Sequence, residues 1–280
     1  MKKIFYLLML FVPVIVFSQT DTATSQPWKH NLVAGLNLTQ VSLTDWAQGG
    51  ENALAWTFSL NGQSTKQWDS LSWTNTYIFA FGQTRLGNQG LRKTEDKIDF
   101  TSILTDKVGS IINPYAAVTF NSQFAPGYTY DNAGIRTEVS NFFDPGYLTQ
   151  SLGAGYQPVK EVSTRLGAAV REIFTTDFPQ YADDPTTKEI ENRRVEGGIE
   201  WVTDVAWEIQ SNLFFTSKIE VFSPVKTFNQ TVLRSDNTLT AKFSKYLSTS
   251  VNLQIINDKK VSPYTQLKET IAFGLNYSIF

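Results

Sequence analysis

Hydrophobic and polar residues alternate with a period of two along most of the chain, between clusters of turn-forming residues. Leu32, Leu36 and Leu38 fall on one parity, for example, while Asn37 and Thr39 fall on the other. Such alternation is typical of β-strands that bury one face, and no sustained helical period follows the first residues. The pattern therefore predicts an all-β protein.

The alternation divides into about twelve strands. Most are about ten or more residues long, enough for a tilted strand to cross a bilayer, whereas strands in soluble sheets typically have five or six residues. We therefore predict a transmembrane antiparallel up-and-down β-barrel. The predicted strands are approximately 30–43, 52–65, 71–84, 96–109, 112–124, 148–157, 161–174, 192–204, 206–221, 236–246, 247–257 and 266–280.

The predicted connections alternate between long and short, as in outer-membrane barrels, which have long extracellular loops and short periplasmic turns. An even strand number then leaves both termini in the periplasm. Trp28, Trp68, Trp73, Trp201 and Trp207 are predicted near the periplasmic rim. The long connections are predicted at about 44–51, 85–95, 125–147, 175–191, 222–235 and 258–265, and the short ones near 67–69, 110–113, 157–159, 204–205 and 246–247.

The N-terminus indicates export. Lys2 and Lys3 precede an apolar run over 4–17, and small Ser18 follows. This is the pattern of a secretory signal peptide, so we predict a signal at 1–18 and a barrel domain at 19–280. The alternative, a retained membrane anchor, needs about 20 apolar residues, and this run is shorter.

Composition narrows the choice of partners. The chain has no cysteine, which excludes disulfides and thiolate sites, and a formal net charge of −2 gives no sign of nucleic-acid binding. No cofactor is predicted. The predicted partners are outer-membrane lipids and, during biogenesis, the barrel-assembly machinery, because alternating apolar residues lead up to a terminal Phe280.

Local motifs resemble a known family. Leu43-Thr44-Asp45-Trp46-Ala47-Gln48-Gly49-Gly50 before an alternating strand, and Phe142-Phe143-Asp144-Pro145-Gly146-Tyr147-Leu148 before Leu152-Gly153-Ala154-Gly155-Tyr156, are similar to an uncharacterised family of predicted barrels from Bacteroidota. That family carries a domain-of-unknown-function label. The resemblance implies a barrel in the outer membrane and passes on no activity or site residues.

Charged residues at inward-facing positions concentrate on the seventh to ninth predicted strands. A wall with both charge signs could select solutes by charge, whereas the alternative is an ion-pair network that fills the barrel. Small inward residues such as Gly153 and Gly167 either leave room for a passage or permit close strand approach. The candidate lumen-lining residues are Arg165, Arg171, Arg194, Glu196, Glu200, Asp204, Glu208, Lys218 and Glu220.

Outside the lumen, the long loops are the candidate carriers of specificity, with Tyr128, Tyr130, Arg136 and Tyr181 as surface contacts. No catalytic group is predicted. The sole histidine, His30, falls near the periplasmic rim, whereas barrel hydrolases and acyltransferases generally need a base near the outer leaflet. The acidic residues at 183–191 fit no calcium-loop spacing, so no metal site is predicted.

Three functions remain open from the sequence. The first is a passive channel or uptake barrel for a small solute or lipid, suggested by the polar inward faces. The second is a structural or surface-interaction barrel with a plugged lumen. The third is an outer-membrane lipid-modifying enzyme or protease, which needs a nucleophile and base that the sequence does not display together.

Overall fold

The computed structural model describes residues 27–43, 50–109, 111–184 and 187–279. The predicted signal peptide, Trp46 and Phe280 lie outside these ranges. None of the helices within them is long and apolar enough to cross a membrane. The strands are β1 (Lys29–Val41), β2 (Ala53–Trp68), β3 (Leu71–Leu86), β4 (Arg92–Asp106), β5 (Ile112–Ser122), β6 (Gly127–Tyr130), β7 (Arg136–Ser140), β8 (Gly146–Val159), β9 (Val162–Phe174), β10 (Arg193–Gln210), β11 (Leu213–Pro224), β12 (Val232–Lys242), β13 (Leu247–Asn257) and β14 (Gln266–Ser278).

Twelve of these strands close into one antiparallel barrel, in which neighbours along the chain are neighbours in the sheet. The remaining two, β6 and β7, form a separate hairpin in the connection between β5 and β8. The predicted transmembrane up-and-down barrel of about twelve strands is confirmed. The hairpin was not predicted, because its strands are short and lie inside a segment rich in turn residues.

The outer face of the barrel wall is apolar and the inner face is polar, as a membrane-spanning barrel requires. Leu152, Leu166 and Ile271 point outward and are 66%, 56% and 81% exposed, whereas Thr101 and Ser151 point inward and are buried. An apolar band on the outside with polar side chains inside is the arrangement of outer-membrane barrels. The alternation seen in the sequence is therefore the alternation between lipid and lumen.

The two ends of the barrel differ in their connections. At one end, which we call the turn end, short turns join β2 to β3, β8 to β9 and β10 to β11, and β1 begins and β14 ends there. At the other, the loop end, the longest connections run over 123–145 and 175–192. The predicted alternation of long and short connections holds except around β4, which five residues separate from β3 and five from β5.

One predicted turn is wrong. The sequence reading placed a turn at Asp204-Val205, but β10 continues to Gln210, and the turn lies at Ser211-Asn212. The strand continues because Val205 and Trp207 maintain the outward apolar parity and Asp204 pairs in register with Lys218. Glu208, predicted on the ninth strand, therefore lies on β10.

The barrel closes between β1 and β14 through the shortest ladder of its wall. β1 pairs with β14 from Val33 to Asn37, through five residue pairs, whereas β1 pairs with β2 through thirteen. Because each residue pair contributes backbone hydrogen bonds to the ladder, this seam is held by fewer of them than the neighbouring β1–β2 pairing.

Aromatic side chains gather at both ends of the outer face. At the turn end, the Trp73 ring lies 5.3 Å from that of Trp28 and 6.4 Å from that of Trp68. At the loop end, the Phe124 ring lies 5.3 Å from Phe79 and 5.6 Å from Phe81. Two aromatic girdles are the usual anchors of a barrel at the two membrane interfaces.

Candidate functional site

Among the described residues, the barrel interior contains two large cavities and a small one of about 30 Å³ at the loop end. A chamber of about 780 Å³ occupies the turn end, and a vestibule of about 320 Å³ occupies the loop end. The chamber reaches the level of Lys107 and Gln157, beside the short turns, and the vestibule reaches Pro145 and Lys268 below the loops. The interior of this barrel is therefore not filled along its whole length.

Six residues line both cavities and mark the level where they meet: Glu95, Lys97, Asp99, Lys218, Asp236 and Gln254. Five of them are charged and belong to three ion pairs. Lys97 Nζ lies 3.1 Å from Asp236 Oδ2, Lys218 Nζ lies 3.6 Å from Asp99 Oδ2, and Lys268 Nζ lies 2.5 Å from Glu95 Oε2. We call the six charged residues of these three ion pairs the cross-lumen belt: Glu95, Lys97, Asp99, Lys218, Asp236 and Lys268.

The belt crosses the barrel, because its partners come from distant strands. Glu95, Lys97 and Asp99 all lie on β4, and β12, which carries Asp236, is six strands away in either direction around the ring. Lys218 on β11 is five strands from β4, and Lys268 on β14 is four. The three ion pairs therefore span the lumen at the level where the chamber and the vestibule meet.

The electrostatics of the belt are balanced, with three basic and three acidic side chains. They are partly buried, with exposed fractions of 29% for Lys97 and 30% for Asp236. Lys218 also lies 2.7 Å from Glu220. Removing one partner from such a pair leaves a poorly hydrated charge, so the members depend on one another.

The residues of the belt on β4 were not predicted, although a signal was present. Glu95, Lys97 and Asp99 follow one another at a spacing of two, which puts all three on one face of a strand. Inward charges were predicted on the seventh to ninth strands, where they are more numerous. Which of these charges meet across the lumen depends on barrel closure, and no local pattern records that.

Two of the predicted lumen arginines lie deep in the wall. Arg165 is 6% exposed, and its Nη1 donates to Asp204 Oδ2 at 3.2 Å, while its Nε and Nη2 have no partner in the described part of the chain. Arg171 is 5% exposed and stacks on Tyr147 and Phe222, at 5.2 Å and 5.5 Å from the ring centroids. These two residues brace the wall between β8 and β11.

The remaining predicted lumen residues have different surroundings. Arg194 donates to the carbonyl oxygen of Asp183, and Glu196 pairs with Lys260, so both attach loop-end connections to β10. Glu200 is buried beside the smaller loop-end cavity. Glu208 lies exposed at the turn end, below the chamber lining.

Glycines on β8 and β9 make room for an aromatic side chain. Tyr115 pairs in register with Gly153, and Gly153 with Gly167. A Cβ atom on Gly167 would lie 2.6 Å from the Tyr115 Oη, and one on Gly153 would overlap the backbone of Leu166. Of the two predictions for the small inward residues, close approach is the one that applies at these positions.

A network of hydrogen bonds joins two long loops above the vestibule. The Asp144 carboxylate accepts hydrogen bonds from Thr175 Oγ1 and from the backbone N–H groups of Thr176 at 3.0 Å and Asp177 at 2.9 Å. Tyr181 donates to the carbonyl oxygen of Val139 at 3.1 Å, and burial raises the pKa of this phenol, which keeps it a donor. We call this arrangement the loop cap.

The other predicted loop residues contact one another or the barrel rim. Arg136 stacks on Tyr128 across the hairpin, at 4.8 Å from the ring centroid, and Arg92 on β4 stacks on Tyr130 at 4.0 Å. The first contact lies within the β6–β7 hairpin, and the second holds the hairpin to the loop end of β4. Their predicted role as surface contacts stays a prediction.

His30 lies on the outer face at the turn end. Its Nδ1 lies 2.7 Å from Ser64 Oγ, and its ring stacks 6.1 Å from that of Trp28. In the described residues, no group of three or more His, Asp or Glu side chains is arranged to hold a metal ion.

The chain matches two family models. The family described as "Protein of unknown function, DUF481" matches residues 128–279, and "Protein of unknown function (DUF3078)" matches residues 38–128. The predicted resemblance to an uncharacterised family with a domain-of-unknown-function label is confirmed. No curated protein matches the chain.

Solved structures with similar architecture include three outer-membrane proteins. The translocator domain of the autotransporter NalP from Neisseria meningitidis is 12% identical over 93% of this chain and 90% of its own, with a TM-score of 0.36. An outer membrane channel from Pseudomonas putida F1 is 11% identical over 93% and 96%, with a TM-score of 0.39. The outer membrane channel DcaP of Acinetobacter baumannii is 7% identical over 94% and 99%, with a TM-score of 0.33. Similarity at this level transfers neither solute nor activity.

Proposed function

Because the chain belongs to the family described as protein of unknown function, DUF481, whose description names no activity, we propose a function from the lumen itself. The protein is an outer-membrane channel for a small polar solute, and the cross-lumen belt is its closed gate. The loop end faces the outside and both termini lie in the periplasm, as in other barrels with this alternation of connections.

The observation that carries this proposal is the pair of cavities that share the belt as a common boundary. A barrel that served only as a plug or anchor has no need of a chamber of about 780 Å³ below a single charged level. Twelve strands stand between filled eight-stranded and open sixteen-stranded barrels, so side chains at one level are enough to close the passage. Charged rings at such a level select and gate ions and solutes in other channels.

A second candidate function is a surface-interaction barrel with a plugged lumen. It is favoured by the same ion pairs, because they join opposite walls, and by the loop cap, which orders the surface above them. In that case the belt is a permanent brace, and the loop end contacts a partner.

Planar-bilayer recording separates these two functions. We expect the wild-type protein to show a low conductance in KCl and the double variant Lys97→Ala, Asp236→Ala to show steady currents several times larger, because both members of one cross-lumen pair are gone. Removing both partners avoids leaving a single unpaired charge.

The matched control is the double variant Lys160→Ala, Glu161→Ala, which removes an ion pair of 3.5 Å at the β8–β9 turn, where Lys160 is 90% exposed. Its currents should equal those of the wild type. Folding of every variant is checked by the heat-dependent gel shift of the barrel. If folded wild-type and belt-variant proteins both fail to conduct, the channel is excluded and the plugged barrel is supported.

A further inference from the structure

The turn-end chamber is lined mainly by neutral polar side chains. Of the 38 residues that line it, 21 are Ser, Thr, Asn or Gln, so hydroxyl and amide groups dominate its surface. The volume of about 780 Å³ lies within the range of about 300–1,000 Å³ that ligand pockets occupy. The cavity is therefore large enough for a small molecule and offers it hydrogen bonds from several sides.

One part of this surface presents unused hydrogen-bonding groups. Gln63 on β2 pairs in register with Thr76 on β3, and Asn61 precedes Gln63 by two residues on the same face of β2. Within the described ranges, the side chains of these three residues form no hydrogen bond with the protein. We call Asn61, Gln63 and Thr76 the amide wall.

The amide wall differs from those polar groups of the chamber surface that are hydrogen-bonded within the protein. Asn252, for example, donates to Asp236 Oδ1 at 2.6 Å and to Thr238 Oγ1 at 2.8 Å, so its amide is already used within the protein. The side chains of the amide wall instead have their donors and acceptors available to the cavity. Two amides and a hydroxyl at neighbouring positions form a compact set of such groups.

The charges that face the chamber do not favour an ion. Its lining contains four basic and four acidic side chains, so the formal charges cancel. Seven of the eight are held in ion pairs, and in the described part of the chain only Lys107, beside the β4–β5 turn, has none. A charged solute would therefore lose hydration without gaining a free counter-charge beside the amide wall.

We infer that the amide wall is a binding site for a neutral polyhydroxylated solute, the chemical class of simple sugars. A sugar hydroxyl both donates and accepts, and so do amide and hydroxyl side chains, whereas an ammonium only donates and a carboxylate only accepts. The inference rests on the proposed channel function for the route by which the solute reaches the chamber. The binding site itself is a property of the chamber.

The first test measures binding to the detergent-purified full chain by isothermal titration calorimetry with three matched probes. Glucose is neutral, glucuronate carries a carboxylate, and glucosamine carries an ammonium. We expect saturable binding of glucose and several-fold weaker binding of the two charged probes. Equal binding of all three, or no binding of glucose, would overturn the inference.

The second test removes the hydrogen-bonding groups and keeps the side-chain volumes. The triple variant Asn61→Leu, Gln63→Met, Thr76→Val should weaken glucose binding by at least about tenfold, because three partners are lost. The matched control is the triple variant Asn75→Leu, Gln150→Met, Thr203→Val, whose substitutions lie on the outer face of the barrel. It should bind glucose as the wild type does, and the gel shift reports folding of both.

The outcomes for the site and for the channel are distinct. If the amide-wall variant loses glucose binding but the protein does not conduct, the binding site is supported and the channel function is contradicted. Conductance without glucose binding contradicts the binding site and supports the channel. Glucose binding that survives in the folded amide-wall variant shows that the solute binds elsewhere and overturns the inference.

Discussion

The loop-end and turn-end halves of the barrel are built on the same twelve strands, yet side chains cross the lumen in the first, which keeps a vestibule of about 320 Å³, and leave the larger chamber in the second. In the loop-end half, lysines and carboxylates from opposite walls meet at 2.5 to 3.6 Å. In the turn-end half, the inward positions hold mainly Ser, Thr, Asn and Gln, and a chamber of about 780 Å³ remains between the walls.

The comparison teaches that side-chain length, as well as strand number, decides whether a barrel of this size is open. A lysine carries its charge at the end of a four-carbon stem and reaches a partner on a distant strand, whereas a threonine hydroxyl stays close to its own wall. The same scaffold can therefore hold a closed level and an open chamber.

The largest effect is expected from reversing one charge of the belt. The change Lys97→Glu places three carboxylates in a row on β4 opposite Asp236, so repulsion replaces attraction across the lumen. We expect single-channel conductance several times that of the wild type, with selectivity for cations. The change would make the loop-end half resemble the turn-end half.

Exchange of the two charges is the control for this reversal. Adding Asp236→Lys to Lys97→Glu restores an opposite pair in swapped positions, and conductance should return close to the wild-type value. If the single variant conducts no more than the wild type, the belt does not close the lumen, and the contrast between the two halves has another cause.

An intermediate effect is expected from releasing the loop cap. The change Asp144→Ala removes the acceptor for Thr175, Thr176 and Asp177. Charge-assisted hydrogen bonds contribute about 1.5–3 kcal/mol each, so protease cleavage within 123–145 should become about tenfold faster or more. Conductance should stay near the wild-type level, because the belt below is intact.

The matched control for the loop cap is Asp131→Ala at the tip of the hairpin. Asp131 accepts hydrogen bonds from the backbone N–H groups of Ala133 at 2.9 Å and Ile135 at 2.8 Å, and makes none to the second loop. Its cleavage rate should change less. A large conductance increase in Asp144→Ala would show that the loops, not the belt, close the loop-end half.

The smallest effect is expected from lengthening a side chain in the chamber. In the belt-neutralised variant, where the passage is open, Thr76→Lys adds a long cationic side chain to the turn-end half and should lower the conductance to roughly half. The control Thr137→Lys lies on the exposed hairpin and should leave it unchanged. Equal conductance in both would contradict the importance of side-chain length.

The sequence was sufficient for the strands because each strand carries its own period-two pattern and its own turn signals. Ten or more alternating residues identify β2 or β9 without reference to any other strand. The predicted turn at Asp204-Val205 was wrong because Asp204, a candidate lumen-lining residue, was also taken as the last residue of its strand, whereas β10 continues beyond it and Asp204 pairs with Arg165. A charge inside a barrel strand and a charge in a turn look alike locally.

The belt and the amide wall could not be predicted in the same way, because they depend on closure. Glu95 and Lys268 are 173 residues apart, and only the ring order of the strands brings them together. Similarly, Asn61 and Asn252 are both inward amides, and only the structure shows that one is used by the protein and the other is available to the cavity.

The belt also has a mechanical consequence for the seam between β1 and β14. Three ion pairs that join opposite walls act like the spokes of a wheel, which resist any change in the shape of its rim. The seam has five residue pairs, and one spoke, Glu95 to Lys268, is attached to β14 itself. Separation of β1 from β14 therefore requires the Glu95–Lys268 ion pair to break as well as the backbone ladder. Lateral pressure from the bilayer is thus resisted by the barrel wall and by the ion pairs inside it.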